Sequence, residues 1–264
     1  MNTRSLACAA ILTSLCAAAS AKDISKDELK KALNDNPDVL LDALKGHKKE
    51  LFDIVNQAAQ EEQARRQKEE EENEKREFEE SFKNPKTPEI SDKTRIRGNK
   101  DAKYTLVEYS DFQCPYCSKG FQNVEALRKK YGASLRFVYK HMPLNFHPNA
   151  MPAAQYLEAV AIQSPEKAWT FHDKMFSNQD KLGEPFFKDT AKELGLNVKK
   201  LEEDAKSQAV KDKIEADINE AKKFGFTGTP GFLLNGIPVR GAYPVTFFDS
   251  IIERIDAKSP DQKN

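Results

Sequence analysis

The spacing of apolar positions divides the chain into a helical N-terminal part, residues 22–83, and a mixed part that follows it. A capping box at Ser25–Glu28 predicts a short first helix, a second short helix follows, and a long helix is predicted over residues 47–82. The long helix has one apolar stripe in its first half, whereas residues 60–77 are almost entirely charged. Because a helix of this kind needs a partner for its stripe, the pattern favours a homo-oligomer, a trimer or dimer, formed through residues 22–83. The alternative is that the stripe folds back on its own domain.

The pattern changes after residue 83. Asn84-Pro85-Lys86-Thr87-Pro88 breaks the long helix, and residues 84–96 are predicted to form a linker. Two runs rich in β-formers, residues 105–109 and 135–141, flank a predicted helix over residues 114–131. A strand–helix–strand unit of this length predicts a parallel pair of strands joined by a right-handed crossover.

A helical block covers residues 148–224, and its aromatic and aliphatic residues are expected to form core rather than a ligand site. Strand patterns return at Gly231–Leu234 and Ile237–Arg240, joined by Asn235-Gly236, a strong type I′ turn sequence. Pro238 favours an edge position for the second of these strands.

The elements together predict an α/β fold, β-α-β followed by a helical insertion and then β-β-α, with a helical stalk in front. A last helix is predicted over residues 245–255. The domain is assigned to residues 97–258, and residues 259–264 are assigned to a tail.

The first residues predict export. Arg4 precedes an apolar run over residues 6–19, which ends in the small-x-small sequence Ala19-Ser20-Ala21. The run is shorter than the ~20 residues that a membrane-spanning helix needs. Residues 1–21 are therefore predicted to be a signal peptide cleaved after Ala21, and the predicted location is the periplasm.

Two of the four cysteines, Cys8 and Cys16, lie in this predicted signal, so only Cys114 and Cys117 remain. A disulfide between cysteines three positions apart closes a very short loop and stabilises little through chain entropy. A single C-x-x-C pair in an oxidising compartment is therefore more typical of a redox-active pair than of a structural crosslink.

Metal and nucleic-acid binding receive little support. Half of a zinc site is the alternative interpretation of C-x-x-C, but no further cysteine remains, and His141, His147 and His172 are not spaced as a ligand pair. No metal and no cofactor are predicted, although copper handling through two thiolates stays open. Lys+Arg and Asp+Glu both number 42, so no basic field for nucleic acid exists.

The position of the cysteine pair at the start of a predicted helix has a chemical consequence. The helix N-terminus stabilises an anion, so the pKa of the Cys114 thiol should fall below its ordinary value. Cys117 lies one turn further in and is expected to be more buried. Pro115 suits the first helical turn, and Pro115 and Tyr116 should adjust the redox potential. Thr229-Pro230 precedes a strand, where either a cis bond or an ordinary turn fits.

These residues carry a family resemblance. The stretch Leu106–Cys117, LVEYSDFQCPYC, closely resembles the active-site strand and helix of bacterial DsbA-like thiol–disulfide oxidoreductases of the thioredoxin superfamily. Thr227–Phe232 and Asn235-Gly236 resemble the cis-proline loop and hairpin of that family. Asn36–Leu40 and the charged helix resemble the N-terminal extension of the ScsC-like branch, which some members use to oligomerise. The resemblance implies a thioredoxin fold.

The resemblance also implies roles for single residues. Cys114 would be the nucleophile and Cys117 the resolving thiol. Glu108 would be a buried carboxyl group that exchanges a proton with Cys117. Thr229 and Pro230 would bind an extended substrate peptide by strand addition.

The Pro-Tyr dipeptide between the cysteines differs from the Pro-His of strongly oxidising members, so the direction of exchange stays open. The predicted function is an exported enzyme that oxidises or isomerises disulfides in unfolded or wrongly paired secreted proteins, with a membrane redox partner. A peptide-binding chaperone or scaffold and a copper-handling thiol protein are the alternatives.

Overall fold

A computed structural model describes residues 25–91 and 94–258. The chain separates into two compact units, with the boundary between Glu70 and Glu71. The predicted signal peptide and the predicted tail at 259–264 lie outside the described residues. Within the described residues, no helix is both long enough and apolar enough to cross a membrane. The predicted domain boundaries stay a prediction.

Helices make up the described part of the first unit. They are α1 (Lys26–Asp35), α2 (Pro37–Gly46) and the first part of α3 (Lys48–Ser81). The capping box at the start of α1 is confirmed, because the Ser25 hydroxyl accepts from the Glu28 amide and the Glu28 carboxylate accepts from the Ser25 amide. No residue between 25 and 70 is buried. The exposed large apolar residues here are Leu29, Val39, Leu40, Leu41, Leu44, Leu51, Phe52, Ile54 and Val55.

The second unit is built on a five-stranded sheet in the order β1-β3-β2-β4-β5. The strands are β1 (Ile96–Arg97), β2 (Tyr104–Ser110), β3 (Leu135–His141), β4 (Gly231–Leu234) and β5 (Ile237–Arg240). The central pair β2–β3 is parallel and the other pairs are antiparallel. The predicted α/β fold with its parallel pair and C-terminal hairpin is therefore confirmed.

Helices pack against this sheet. Helix α4 (Pro115–Tyr131) connects β2 to β3, and α10 (Val245–Lys258) follows the hairpin. The helical insertion lies between β3 and β4 and contains α5 (Ala150–Gln163), α6 (Pro165–Ser177), α7 (Glu184–Glu193), α8 (Val198–Ala205) and α9 (Gln208–Lys223). The aromatic residues of the insertion are largely core, as expected: Phe171, Phe176 and Phe187 are buried.

Sequence patterns did not predict strand β1. It pairs antiparallel with β3 at the sheet edge, through Ile96 opposite Val138 and Arg97 opposite Phe137. Two residues are too short to show the alternation that marks a strand. Its first residue, Ile96, ends the predicted linker.

The β4–β5 hairpin turn also has the predicted form. Asn235 and Gly236 both have positive φ angles, 48° and 84°, as a type I′ turn requires. Gly236 is needed for a second reason: its carbonyl accepts from the Lys86 amide at 3.0 Å, and a Cβ at this position would lie 2.4 Å from the Lys86 carbonyl oxygen. This hydrogen bond ties Lys86, which lies in the predicted linker, to the hairpin.

Candidate active site

The two cysteines lie where β2 leads into α4. Cys114 is the N-cap of α4, Pro115 occupies the first helical turn, and Cys117 follows one turn later. Both cysteines are free thiols, with 4% of Cys114 and 0% of Cys117 exposed. The local sequence explains this placement, because proline fits the first turn of a helix, where its missing N–H has no intrahelical partner.

The surroundings of Cys114 favour a thiolate. Its pKa is lowered to about 5, chiefly by a hydrogen bond with the Cys117 thiol, and further by Thr229 and the amides of Tyr116 and Cys117. Burial acts in the opposite direction but is outweighed. The Cys114 sulfur lies 3.5 Å from the carbonyl oxygen of Thr229. A thiolate is the attacking species in disulfide exchange, so Cys114 is suited to be the nucleophile.

Cys117 has the opposite character. Burial raises its pKa well above the ordinary value of a thiol, and the neighbouring Cys114 and Glu108 raise it further. The Asp111 amide donates a hydrogen bond to the Cys117 sulfur at 3.4 Å. The pair therefore consists of one thiolate and one buried thiol.

Glu108 is buried on β2 beneath the helix, with 1% of its surface exposed. Burial, and next the charge on Cys114, raise its pKa to about 8, although a hydrogen bond from Ser110 lowers it. The Ser110 hydroxyl donates to Oε1 at 2.8 Å, whereas Oε2 has no hydrogen-bond partner among the described residues. The carboxyl group can thus take up or release a proton near neutral pH.

The Thr229–Pro230 peptide bond is cis. Pro230 and Glu108 both lie against Gly120 of α4: a Cβ at this glycine would be 3.2 Å from Pro230 Cγ and 3.4 Å from Glu108 Oε1. Gly120 thus allows α4 to approach both residues closely. Sequence reasoning missed it, since a glycine within a helical pattern carries no signal of what faces it.

An open cavity of about 430 Å³ lies beside Tyr116, which stands between the two cysteines in the sequence. It is lined by Tyr116 and Lys119 of α4, by Thr229, and by the loop over residues 241–244. Tyr116 is 68% exposed and Tyr243 is also exposed. The cavity therefore offers aromatic surface close to Thr229, whose carbonyl oxygen lies 3.5 Å from the Cys114 sulfur.

Asp111 is a second site residue that sequence reasoning missed. Its carboxylate is fully buried and accepts hydrogen bonds from the amides of Gln113 and Leu144, at 2.7 and 2.9 Å. It also lies 2.7 Å from Nδ1 of His147. These contacts fix the turn between β2 and α4 to the loop that follows β3.

The insertion holds the same turn from another side. The side-chain amide of Gln179 donates to the carbonyl oxygens of Phe112 and Cys114, at 2.7 and 2.8 Å. Gln179 lies in a short 3-10 turn after α6. The backbone around Cys114 is therefore fixed by residues distant in sequence.

The histidines that follow β2 all contact carboxylates. His141 lies 2.7 Å from Glu158, and His172 lies 2.9 Å from Asp173. Within residues 25–91 and 94–258, no group of three His, Cys, Asp or Glu side chains is placed to hold a metal ion.

Comparison with known proteins places this chain in a family. The thioredoxin family model "Thioredoxin_4" matches residues 90–254. Over 169 residues the chain is 37% identical to the Na(+)/H(+) antiporter NhaA of Herminiimonas arsenicoxydans, a match that covers 64% of this chain and 26% of the antiporter. The chain thus spans about a quarter of the length of the curated relatives it matches.

Solved structures give the same fold. A thioredoxin-like oxidoreductase from Silicibacter pomeroyi matches with a TM-score of 0.58 and 26% identity, covering 63% of this chain and 94% of that one. The catalytic domain of Proteus mirabilis ScsC matches with a TM-score of 0.54 and 21% identity, covering 63% and 91%. The chain therefore belongs to the thioredoxin family, with DsbA-like and ScsC thiol–disulfide oxidoreductases as its structural neighbours.

Proposed function

We propose that the chain is a protein thiol–disulfide oxidoreductase in which Cys114 attacks and Cys117 resolves. The observation that carries this proposal is the contrast between the two sulfurs: the pKa of Cys114 is lowered to about 5, while that of Cys117 is raised. A purely structural pair gains nothing from this contrast. An exchange enzyme needs a thiolate to attack and a second thiol to end the mixed disulfide.

The exchange runs in two steps. A substrate thiolate attacks the Cys114 sulfur of the oxidised enzyme, the Cys114–Cys117 bond breaks, and Cys117 leaves with the electron pair and takes a proton. A second substrate thiolate then attacks the substrate sulfur of the mixed disulfide, and Cys114 leaves as a thiolate. The substrate gains a disulfide and loses two electrons, which the enzyme dithiol holds.

Glu108 supplies the proton for Cys117. Its pKa of about 8 leaves it mostly protonated at neutral pH, so it can donate when Cys117 leaves. In the reverse direction Cys114 attacks a substrate disulfide, and the ionised Glu108 accepts the proton of Cys117 as that thiol attacks. One carboxyl group thus serves both directions.

The substrate is an extended segment of an unfolded or wrongly paired secreted protein. It would bind along the Thr229–Pro230 loop by backbone hydrogen bonds, with a side chain in the cavity beside Tyr116 and Tyr243. The cavity is open, which suits substrates of varied sequence. Pro115 and Tyr116 adjust the potential next to the thiolate. Export through residues 1–21 to the periplasm and a membrane redox partner belong to the same proposal.

The N-terminal unit would join copies of the chain. Residues 25–70 expose many apolar side chains and bury none of their residues. Burying these side chains against a second and third copy would remove them from water. Several active sites in one oligomer raise the effective concentration of catalytic thiols around one substrate, which favours isomerisation over simple oxidation.

The experiment that tests this function is the refolding of a protein with scrambled disulfides. The full chain should restore native pairing, and Cys114→Ser should lose this activity. A matched control is Ser118→Ala, which removes a side-chain oxygen in the same helical turn. Full activity of Cys114→Ser would overturn the enzyme and leave a peptide-binding chaperone.

A further inference from the structure

The proposed exchange reaction moves a proton to or from Cys117 and Glu108, although both groups are buried. Cys117 is 0% exposed and Glu108 is 1% exposed, so neither can exchange a proton directly with bulk water. Proton transfer requires a path of hydrogen-bond length from the sulfur to the carboxyl group. The side chain that supplies such a path has to be buried with them.

Ser110 lies in the right place. Side chains alternate along a strand, so Glu108 and Ser110 point to the same face of β2. Leu106, on that same face, shares a core cluster with Cys117. The Ser110 hydroxyl lies 2.8 Å from Glu108 Oε1 and is itself buried.

The sulfur is close to the same serine. The backbone nitrogen of Asp111, which is bonded to the carbonyl carbon of Ser110, lies 3.4 Å from the Cys117 sulfur. Burial raises the pKa of Cys117 most, and a hydrogen bond from Ser110 lowers it in part. The serine hydroxyl therefore donates to the carboxyl group, and the peptide unit that follows this serine contacts the sulfur.

We propose that the Ser110 hydroxyl is a catalytic proton relay between Cys117 and Glu108. This relay rests on the exchange reaction proposed above. When the Cys114–Cys117 bond breaks, the electron pair goes to the Cys117 sulfur, which takes the hydroxyl proton of Ser110. Ser110 takes the carboxyl proton of Glu108, which is left as a carboxylate.

The reverse step uses the same atoms. The Cys117 thiol gives its proton to the Ser110 oxygen as its sulfur attacks Cys114, and Ser110 gives its own proton to the Glu108 carboxylate. The hydrogen bond that Ser110 donates to Glu108 in the dithiol form already has the direction that this transfer requires. A hydroxyl suits the role because it donates and accepts at once.

The test measures the single-turnover reduction of the oxidised full chain by dithiothreitol at several pH values between 6 and 9. Thiol alkylation at successive times gives the rate of reduction. Ser110→Ala should slow reduction about a hundredfold or more, the low end of a lost proton-transfer contribution. Ser110→Thr keeps a hydroxyl and should return the rate to within about threefold of the original. Ser118→Ala is the matched control and should react like the original chain.

A combined variant separates a relay from a structural role. Because the serine and the carboxyl group serve one path, Ser110→Ala with Glu108→Gln should be no slower than the slower single variant. Additive losses would overturn the relay. So would an unchanged Ser110→Ala rate beside a slow Glu108→Gln. With either of these results, an inactive Cys114→Ser variant would leave the proposed exchange function intact. An active Cys114→Ser variant would overturn both the relay and the exchange function.

Discussion

The amide of Asp111 donates a hydrogen bond to the sulfur of Cys117, with 3.4 Å between the two atoms. The carboxylate of the same aspartate accepts from two backbone amides and contacts His147. The side chain thus fixes the backbone group that contacts the Cys117 sulfur. Residues 111–117 and the loop that contains Leu144 and His147 therefore hold the backbone beside this sulfur in place.

Loss of this buried carboxylate should destabilise the fold. In Asp111→Asn the new amide N–H₂ cannot accept the hydrogen bonds that the carboxylate accepts, so buried donors lose their partner. We expect a loss of about 2 to 4 kcal/mol in the free energy of unfolding, measured with urea. Asp212→Asn, which changes an exposed aspartate paired with Gln208, should cost under about 0.5 kcal/mol. Equal losses in the two variants would contradict this assignment.

The Cys114 thiolate should be visible directly. Absorbance of the reduced chain near 240 nm should show one thiol ionising with a midpoint near pH 5, the pKa that its surroundings set. Because the hydrogen bond with Cys117 is the main cause, Cys117→Ala should move this midpoint upward. A midpoint that stays near pH 5 in that variant would show that the helix and Thr229 suffice.

The lowered pKa of Cys114 also determines how the free energy of unfolding of the reduced chain changes with pH. A folded-state pKa below the ordinary value contributes stability to the reduced form at high pH, and this contribution is lost as pH falls through about 5. The reduced form of Cys114→Ser should lack this dependence. The measurement is urea unfolding of both reduced proteins from pH 4 to pH 9.

Glu108 should give the opposite trend. Its folded pKa of about 8 lies above the ordinary 4.5, so between these values the unfolded chain is ionised while the folded chain still holds the proton. Stability should therefore fall as pH rises from 4.5 to 8. Glu108→Gln should remove this fall. The stability difference between this variant and the original chain should therefore shift by about 5 kcal/mol in favour of the variant from pH 4 to pH 9.

Urea unfolding at several pH values checks the Glu108 prediction. Glu253→Gln changes an exposed glutamate on α10 and is the matched control, expected to leave the pH profile unchanged. If the original chain and Glu108→Gln follow the same profile, Glu108 does not keep its proton in the fold.

A buried ion pair anchors the end of the predicted linker. Arg95 and Glu158 form a two-contact ion pair, His141 lies against both, and burial lowers the pKa of Arg95 to about 10. Removing one partner leaves the other charge buried, so Arg95→Met should cost about 3 to 5 kcal/mol. Arg95→Met with Glu158→Leu should recover most of this loss.

The control for the ion pair lies on the surface. Lys45 and Asp42 form an exposed pair, and Lys45→Met should change the free energy of unfolding by less than about 1 kcal/mol. If the double variant of Arg95 and Glu158 is no more stable than Arg95→Met, the loss arises from packing rather than from the unpaired carboxylate.

Sequence patterns predicted the parts of this molecule that depend on neighbouring residues. The Pro115 helix start, the Asn235-Gly236 turn and the strand over residues 135–141 all follow from local chemistry. The hydrogen bond between Asp111 and His147 joins residues 36 positions apart, and the ion pair of Arg95 joins residues 63 positions apart. Nothing in one sequence marks such pairs, because each partner taken alone is an ordinary polar residue.

The exposed apolar residues of the N-terminal helices predict that copies of the chain assemble. Leu51 and Ala58 share one heptad position of α3, Ile54 occupies the complementary one, and all three are exposed within the first unit. Light scattering of the full chain should give the mass of a dimer or trimer. A charge buried in such a contact is costly, so Leu51→Asp with Ile54→Asp should give a monomer. Gln60→Asp, a polar position on the same helix, should leave the oligomer intact.

The same variants connect assembly to chemistry. If copies of the active site must surround one substrate, the monomeric Leu51→Asp/Ile54→Asp variant should lose most refolding of scrambled disulfides while still oxidising reduced thiols. Its dithiothreitol reaction should match the original chain, since α4 and β2 are unchanged. A monomer that refolds the scrambled substrate at the original rate would show that isomerisation needs only one active site.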